Sequence, residues 1–390
     1  MFTYFNEAKN MTVPLTAWVM DIHDMEYKCF EQALLLTKHP KIYHHVALMP
    51  DCHVGVGMPI GGVIATHESI IPSAVGVDIG CGMAAVKTDL TDISTDSLKQ
   101  IMGIIRETIP VGFNQHESAQ SWKGFDNAPT HLSIIKENLK KAPYQLGTLG
   151  GGNHFIEIQK GDDGHIWFMI HSGSRNIGLK IANEYISIAK NICMKTCDHT
   201  PTDLAYIPKE HSAFEDYITA MNFALDFALE NRQQMIVRIK KAFMTVLDVV
   251  HFEKEINIHH NYANLEHHFG KDVWVHRKGA TLAKNGTIGI IPGSQGTGSY
   301  IVEGLGNPDS FSSCSHGAGR KYSRTAAKTN LDLEEQKKLM NDQNIIHGIR
   351  NVSDLDEAPG AYKDIDIVMG NQTDLVKPIV HLKPLAVIKG

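Results

Sequence analysis

Two residue types that bind transition metals stand three apart in the segment GVDIGCGM (76–83): Asp78 and Cys81, with glycines at 76, 80 and 82. In an extended strand, residues three apart face opposite sides. A bend at Gly80, free to adopt backbone angles closed to other residues, would turn both side chains toward one point. Thiolate and carboxylate at one point make a metal pair, and a thiolate can bridge two ions. The same four residues also fit a small buried cysteine beside a turn-forming aspartate, so the histidines decide between the readings. His154 follows three glycines in GGGNHFIE, beside Asn153 and three residues before Glu157. His171 ends an apolar run in MIHSGSR, and INIHHNYA offers His259 and His260, followed by Asn261. Glycine-flanked histidines, with Asp and Cys in supply, favour a metal site. Mixed carboxylate, imidazole and thiolate donors suit Zn, Mn, Fe or Co, and spacing alone does not choose among them.

A second group of loops suits phosphate. There is no P-loop: GSRNIGLK (173–180) puts Leu179 where that motif needs lysine. PGSQGTGSY (292–300) is a run of small residues with hydroxyls at Ser294, Thr297 and Ser299, able to wrap an anion. SCSHGAGRKYSR (313–324) sets His316 in a glycine loop near Arg320, Lys321 and Arg324, and VHRKGAT (275–281) adds Arg277 and Lys278. Each alone reads as a solvated surface loop; together they make a basic pocket for phosphate. Cys193, Cys197, Asp198 and His199 have zinc-like spacing but fall in a helical stretch, where a buried helix face is the preferred reading.

These loops need a scaffold. Helices are expected at 24–37, 94–109 and 129–141, from apolar residues at helical spacing and from Ser/Thr/Asp starts. Residues 46–90 and 146–178 alternate β-branched runs with Gly and Pro, which predicts strands joined by tight loops. Residues 179–250 are helical in pattern and read as an insertion, and 256–325 return to Gly, His and Ser. The expectation is an α/β (α+β) fold with a sheet-rich core, its loop tips converging on one cleft. With 390 residues, 43% hydrophobic and 21% charged, the composition is that of a soluble globular protein. The start MFTYFNEAKN lacks a signal-peptide layout and no apolar run is long enough to span a membrane, which predicts a cytoplasmic protein. Six cysteines in so long a chain are not a disulfide framework, whereas 22 histidines are an unusual supply of ligands. A net charge of −6 argues against a surface that coats nucleic acid and leaves room for a local basic cleft.

In order along the chain, MPDCHVGVG, GVDIGCGM, GTLGGGNHFIE, HSGSR, HHNYA, HRKGA, IPGSQGTGSY, SHGAGR, YKDID and a final KG resemble the RtcB family of GTP-dependent RNA-splicing ligases, in its shorter bacterial form. The resemblance covers nearly the whole chain and implies one RtcB-like catalytic domain over 1–390, with 179–250 as a helical insertion and a deep cleft for two Mn2+ ions. By motif, Cys81 would bridge both ions, Asp78 and His154 would complete one site, and His171 and His260 the other. His316 would be the histidine that becomes guanylylated, oriented by Asp51. Asn153, Glu157, Asn261, Ser294, Ser299, Arg320, Tyr362 and Lys389 would hold the nucleotide. The implied reaction joins an RNA 3′-phosphate or 2′,3′-cyclic phosphate to a 5′-hydroxyl through a histidine–GMP intermediate, in RNA repair or tRNA splicing. RNA ends are the implied partner, an activating helper protein is compatible with the family, and nothing in the pattern demands a dimer, so a monomer is expected.

Cys52 stands within MPDCH where an apolar residue is usual, and Gln295 stands where methionine is usual. Neither removes a matched reactive position, and Cys52 reads as a small core residue. Two other functions use the same residues. A metal-dependent phosphoester hydrolase would activate water on these ligands and form no GMP adduct. A nucleic-acid-binding protein with structural zinc would have closed coordination and ignore GTP.

Overall fold

The computed structural model describes residues 1–196 and 200–390. Two sheets carry the fold. The first runs in the order β1 (Phe2–Tyr4), β2 (Leu15–Ala17), β3 (Ile42–His53), β4 (Ile60–Thr66), β12 (Lys271–Lys278), β11 (Asn261–His268). The second runs β10 (Phe252–His259), β6 (Gly82–Thr88), β8 (Ile166–Ser172), β7 (Phe155–Gly161), β17 (Val376–Lys389), β15 (Ser299–Gly304), β14 (Ile288–Ile291). Two short ladders, β5 (Ser69–Ile70) with β9 (Ile207–Pro208) and β13 (Ala280–Leu282) with β16 (Ser313–Ser315), tie loops to this frame. The mixed α/β architecture expected from the sequence is therefore present.

Strand period explains the second sheet. In β6, Ala84 and Val86 face one way and Met83 and Ala85 the other, and both faces are buried. The first face packs with Ile156, Ile158, Phe168 and Ile170 against the helices Thr95–Thr108 and Ala213–Val246. The second shares a cluster with Ile256 of β10 and Ile290 of β14, the two edge strands. The sheet thus curls until its edges approach.

The helices expected at 24–37 and 94–109 form over Tyr27–Leu36 and Thr95–Thr108, the latter capped by the Ser94 hydroxyl accepting from the Ser97 amide. The helix expected at 129–141 forms only over Ser133–Asn138, with no side-chain cap; the proline at 143 opens a separate turn, Ala142–Gln145. Two helices, Arg175–Lys195 and Ala213–Val246, fill most of the stretch from 179 to 250. Cys193 is buried on the first, with its thiol against the Tyr206 carbonyl; Cys197, Asp198 and His199 lie outside the described residues. Among the described residues, no helix is long and apolar enough to cross a membrane.

Candidate metal and nucleotide site

The site forms where the sheets meet. Asp78 to Cys81 close a turn: the Cys81 amide donates to the Asp78 carbonyl at 3.1 Å, and Gly80 takes a φ of +75°. A positive φ at the third residue of a turn demands glycine. This is the bend anticipated in the sequence. It delivers the Asp78 carboxylate and the Cys81 thiol to the same partner, the His154 Nε2, at 3.1 and 3.5 Å. His154 precedes β7 and His171 lies in β8, directly paired with Phe155 of β7. His260 sits on the single residue between β10 and β11, where the chain leaves one sheet for the other, and its amide donates to the Cys81 carbonyl. Its neighbour His259 turns away, with Nδ1 against the Gly80 carbonyl.

The ring orientations bear on a metal. His154 Nδ1 lies 2.9 Å from the Leu149 carbonyl, and His171 Nδ1 lies 3.1 Å from the Asn153 carbonyl. A carbonyl accepts only, so each Nδ1 carries a proton, and in the neutral ring that binds a metal each Nε2 presents a lone pair. The His154 lone pair then faces the Asp78 carboxylate, and the His171 Nε2 stands 3.4 Å from His260 Nε2 and 3.2 Å from the Cys81 sulfur. Acceptors at such spacing need a proton or a cation between them. Donor atoms of Cys81, His154 and His171 all lie within 4.8 Å of one another. Burial and the charges of neighbouring groups hold His171 and His260 far below the usual histidine range, so both are neutral. Burial and the Asp78 carboxylate raise the Cys81 thiol; a bound cation inverts that balance. The donor set suits a transition metal better than magnesium.

Beside this cluster stands His316. Its Nδ1 lies 2.6 Å from an oxygen of the fully buried Asp51, at the end of β3, and its backbone amide donates to the same oxygen at 3.1 Å. Its ring is 4.9 Å from that of His260, centre to centre. His316, His53, Asn153, Phe155, Arg320 and Tyr362 line a cavity of about 340 Å³. Burial pushes His53 down to about 4, so it too is neutral.

The cavity continues into a recess lined by Glu157, Ser294, Tyr362 and Lys389. Burial raises Glu157 to about 8, against the pull of Lys389 and of Gln159, whose amide donates to it at 2.7 Å. Burial lowers Lys389, which sits 3.6 Å from Glu357. Ser299 Oγ accepts from the Gly293 amide and the Gln159 side chain, both at 3.2 Å, and Ser294 Oγ meets Thr297 Oγ1 at 3.0 Å. The Asn261 side chain braces backbone, donating to the Asp78 carbonyl and accepting from the Gly279 amide. The proposed positions thus converge in two adjoining parts, one imidazole-rich and one mixed in charge.

Glu357 was not singled out by spacing. Although burial opposes its charge, Lys389, Tyr362, Arg320 and Arg324 hold it below the usual carboxylate range. The Tyr362 hydroxyl donates to it, and the Arg320 guanidinium donates at 3.2 Å while lying over the Tyr362 ring. Gln295 donates to the Glu357 carbonyl at 2.6 Å. Arg175 was also missed as an individual residue: it opens its helix at a φ of +57° and reaches Thr148 Oγ1 and the Gly112 carbonyl, each at 2.9 Å. Nothing in the DEAPG segment around Glu357 signals such a hub. Cys52 is buried in an apolar cluster with Cys29.

The family model described as tRNA-splicing ligase RtcB matches residues 32–390. The RNA-splicing ligase RtcB of Escherichia coli (strain K12) is 39% identical over 402 residues, covering 97% of each chain. The tRNA-splicing ligase RtcB of Pyrobaculum aerophilum is 32% identical, covering 92% of this chain and 90% of its own. That of Nanoarchaeum equitans is 31% identical, covering 97% and 96%. A match of this length, over a chain whose thiol, imidazole and carboxylate groups gather in one cleft, places the protein: the chain belongs to the RtcB family.

Proposed function

We propose that the protein is a GTP-dependent RNA ligase that joins a 3′-phosphate or 2′,3′-cyclic phosphate end to a 5′-hydroxyl end, with His316 as the covalent carrier of GMP. One observation carries this reading: the 2.6 Å pairing of His316 Nδ1 with buried Asp51. With its Nδ1 proton held by a carboxylate, the ring offers the Nε2 lone pair as nucleophile, and the carboxylate stabilises the positive ring after attack. That lone pair takes the α-phosphorus of GTP, a P–N bond forms, and the bond to pyrophosphate breaks. A 2′,3′-cyclic phosphate end is first opened by water to a 2′-hydroxyl and a 3′-phosphate; an oxygen of the RNA 3′-phosphate then displaces His316 and takes the GMP. The 5′-hydroxyl attacks the activated 3′-phosphorus, loses its proton and expels GMP.

Asp78, Cys81, His154, His171 and His260 are the proposed ligands of two Mn2+ ions, with Cys81 shared. Bound there, the ions would offset the charge of the phosphates. Asn153, Ser294, Ser299 and Arg320 would receive the nucleotide, with Glu157 and Lys389 at its base and Tyr362 against it; Asn261 would act from behind the metal turn. The whole chain is read as one catalytic domain, with the stretch 179–250 as its helical insertion, acting as a monomer in the cytoplasm on RNA ends.

The test is intact mass after incubation with Mn2+ and GTP, beside His316→Ala. The expected result is a GMP adduct on the parent alone. No adduct on a metal-loaded parent would sink the proposal and favour the hydrolase.

A further inference from the structure

Two polar side chains in the middle of the helix Ala213–Val246 have no solvent exposure, Asn231 and Arg232. Burying such groups is costly unless their hydrogen bonds are met. Here both are met, and the partners form a pattern. Asn231 Oδ1 accepts from the Gly147 and Thr148 amides at 2.7 and 3.1 Å. Its Nδ2 donates to the Thr148 carbonyl, Ser172 Oγ and the Gly173 carbonyl, each at 3.1 Å. Arg232 donates through Nη1 to the carbonyls of Gly80 at 2.9 Å and Ser172 at 2.8 Å, and through Nε to Asn257 Oδ1 at 2.7 Å. Its Nη2 meets His259 Nδ1 at 3.2 Å.

Three of the partners adjoin a residue of the cluster. Gly80 precedes Cys81, Ser172 follows His171 and His259 precedes His260. Gly147 and Thr148 open the loop whose Leu149 carbonyl fixes the His154 ring. Six of these nine contacts are to backbone, so two side chains on one helix tie together four ligand-bearing segments. No carboxylate pairs with Arg232 among the described residues.

We infer that Asn231 and Arg232 are positioning residues for metal binding: one turn of helix that holds the segments bearing Cys81, His154, His171 and His260 in ligating register before an ion arrives. This rests on the reading of the cluster as a metal site and assigns the pair no contact with nucleotide or RNA. Loss of groups that orient ligands commonly weakens metal binding by about 10- to 100-fold.

The experiment uses the full chain, with Arg232→Lys and Asn231→Ser. Co2+ is titrated by its thiolate charge-transfer absorption and Mn2+ by calorimetry, at a temperature where circular dichroism shows each variant folded. Both variants should bind metal about 10- to 100-fold more weakly, and GMP adduct formation should recover as Mn2+ is raised. A purely structural role would lower the melting temperature and leave the affinity of the folded protein unchanged; that result overturns the inference. Should a variant not fold, hydrogen exchange on the unaltered metal-free protein decides: slow exchange of the Gly147 and Thr148 amides is expected, and fast exchange overturns it. Weakened metal binding in variants of a parent that never forms an adduct would keep this inference and reject the ligase reading. An adduct on the parent with unchanged metal affinity in the variants would do the reverse.

Discussion

The Asp51–His316 pair has a polarity that a single atom can reverse. In Asp51→Asn the amide nitrogen can take the place of the oxygen that faces Nδ1. There it would donate to Nδ1 and drive the ring proton to Nε2, removing the nucleophilic lone pair and also the hydrogen bond that the same atom accepts from the His316 amide. GMP adduct formation should then fall by about three to four orders of magnitude, the cost of a wrong tautomer in a related arrangement, with metal content unchanged; single-turnover labelling with GTP measures it. Glu157 supplies a pH signature. Burial holds it at about 8 in the free protein, so at pH 7 it is mostly protonated. The N–H donors of a guanine favour the ionised form, so nucleotide binding should release a proton below about pH 8, and affinity should rise with pH up to that point. Calorimetry in buffers of different ionisation enthalpy detects the proton, and Glu157→Gln should abolish it. The folding term has the opposite sign: between the usual carboxylate range and about 8 the folded state binds more protons, so Glu157 costs stability as pH rises through that window. The meeting of Asp78, Cys81 and His154 was legible, because a glycine-bent DxxC and a glycine-flanked histidine each have a local physical reason. It was not legible for the choice between His259 and His260. Adjacent residues exchange faces, and only the corner between β10 and β11 decides which ring enters the cluster.

Segments matter through the backbone they bring close. Gly279 follows β12 at a φ of +62°, and a Cβ there would lie 2.4 Å from the Ile60 side chain and 3.0 Å from His316 Cε1. Gly279→Ala should therefore destabilise the fold by roughly 1–2 kcal/mol from the left-handed backbone alone. It should also push the His316 ring off Asp51, slowing adduct formation more than the loss of stability explains; denaturant melts beside labelling rates separate the two. The expected helices at 24–37 and 94–109 were legible because their apolar residues recur with helical period. Glu357 was not, because its partners Lys389, Arg320, Arg324 and Tyr362 come from three separate segments. Asn231 and Arg232 sit in the polar run ENRQQ (230–234), which in sequence reads as a solvated face rather than a buried one.

Across the whole molecule, the proposed metal binding would be linked to stability. The cluster draws Asp78, Cys81, His154, His171 and His260 from four segments on both sides of the junction between the sheets. An ion that binds only the folded state stabilises it by about 2.7 kcal/mol at a hundredfold excess over Kd. Mn2+ should thus raise the melting temperature of the parent and leave Cys81→Ala unmoved; a scanning-fluorimetry titration with and without chelator reads this. A rise of equal size in Cys81→Ala would remove the thiol from the ligand set. The sheet order was illegible from sequence, since neighbours such as β7 and β17 are separated by most of the chain.

That separation sets a timetable for a chain made from its N-terminus. β17 alone joins the β10-β6-β8-β7 part of the second sheet to β15 and β14, and it carries Lys389 into the recess. Every candidate metal ligand has been synthesised by residue 260, whereas this strand begins at Val376. A ribosome-bound chain stalled before Val376 should capture Co2+ and yet accept no GMP. On that outcome the proposed charging with nucleotide would wait for the last strand, and a bound GMP would report that the sheet has closed.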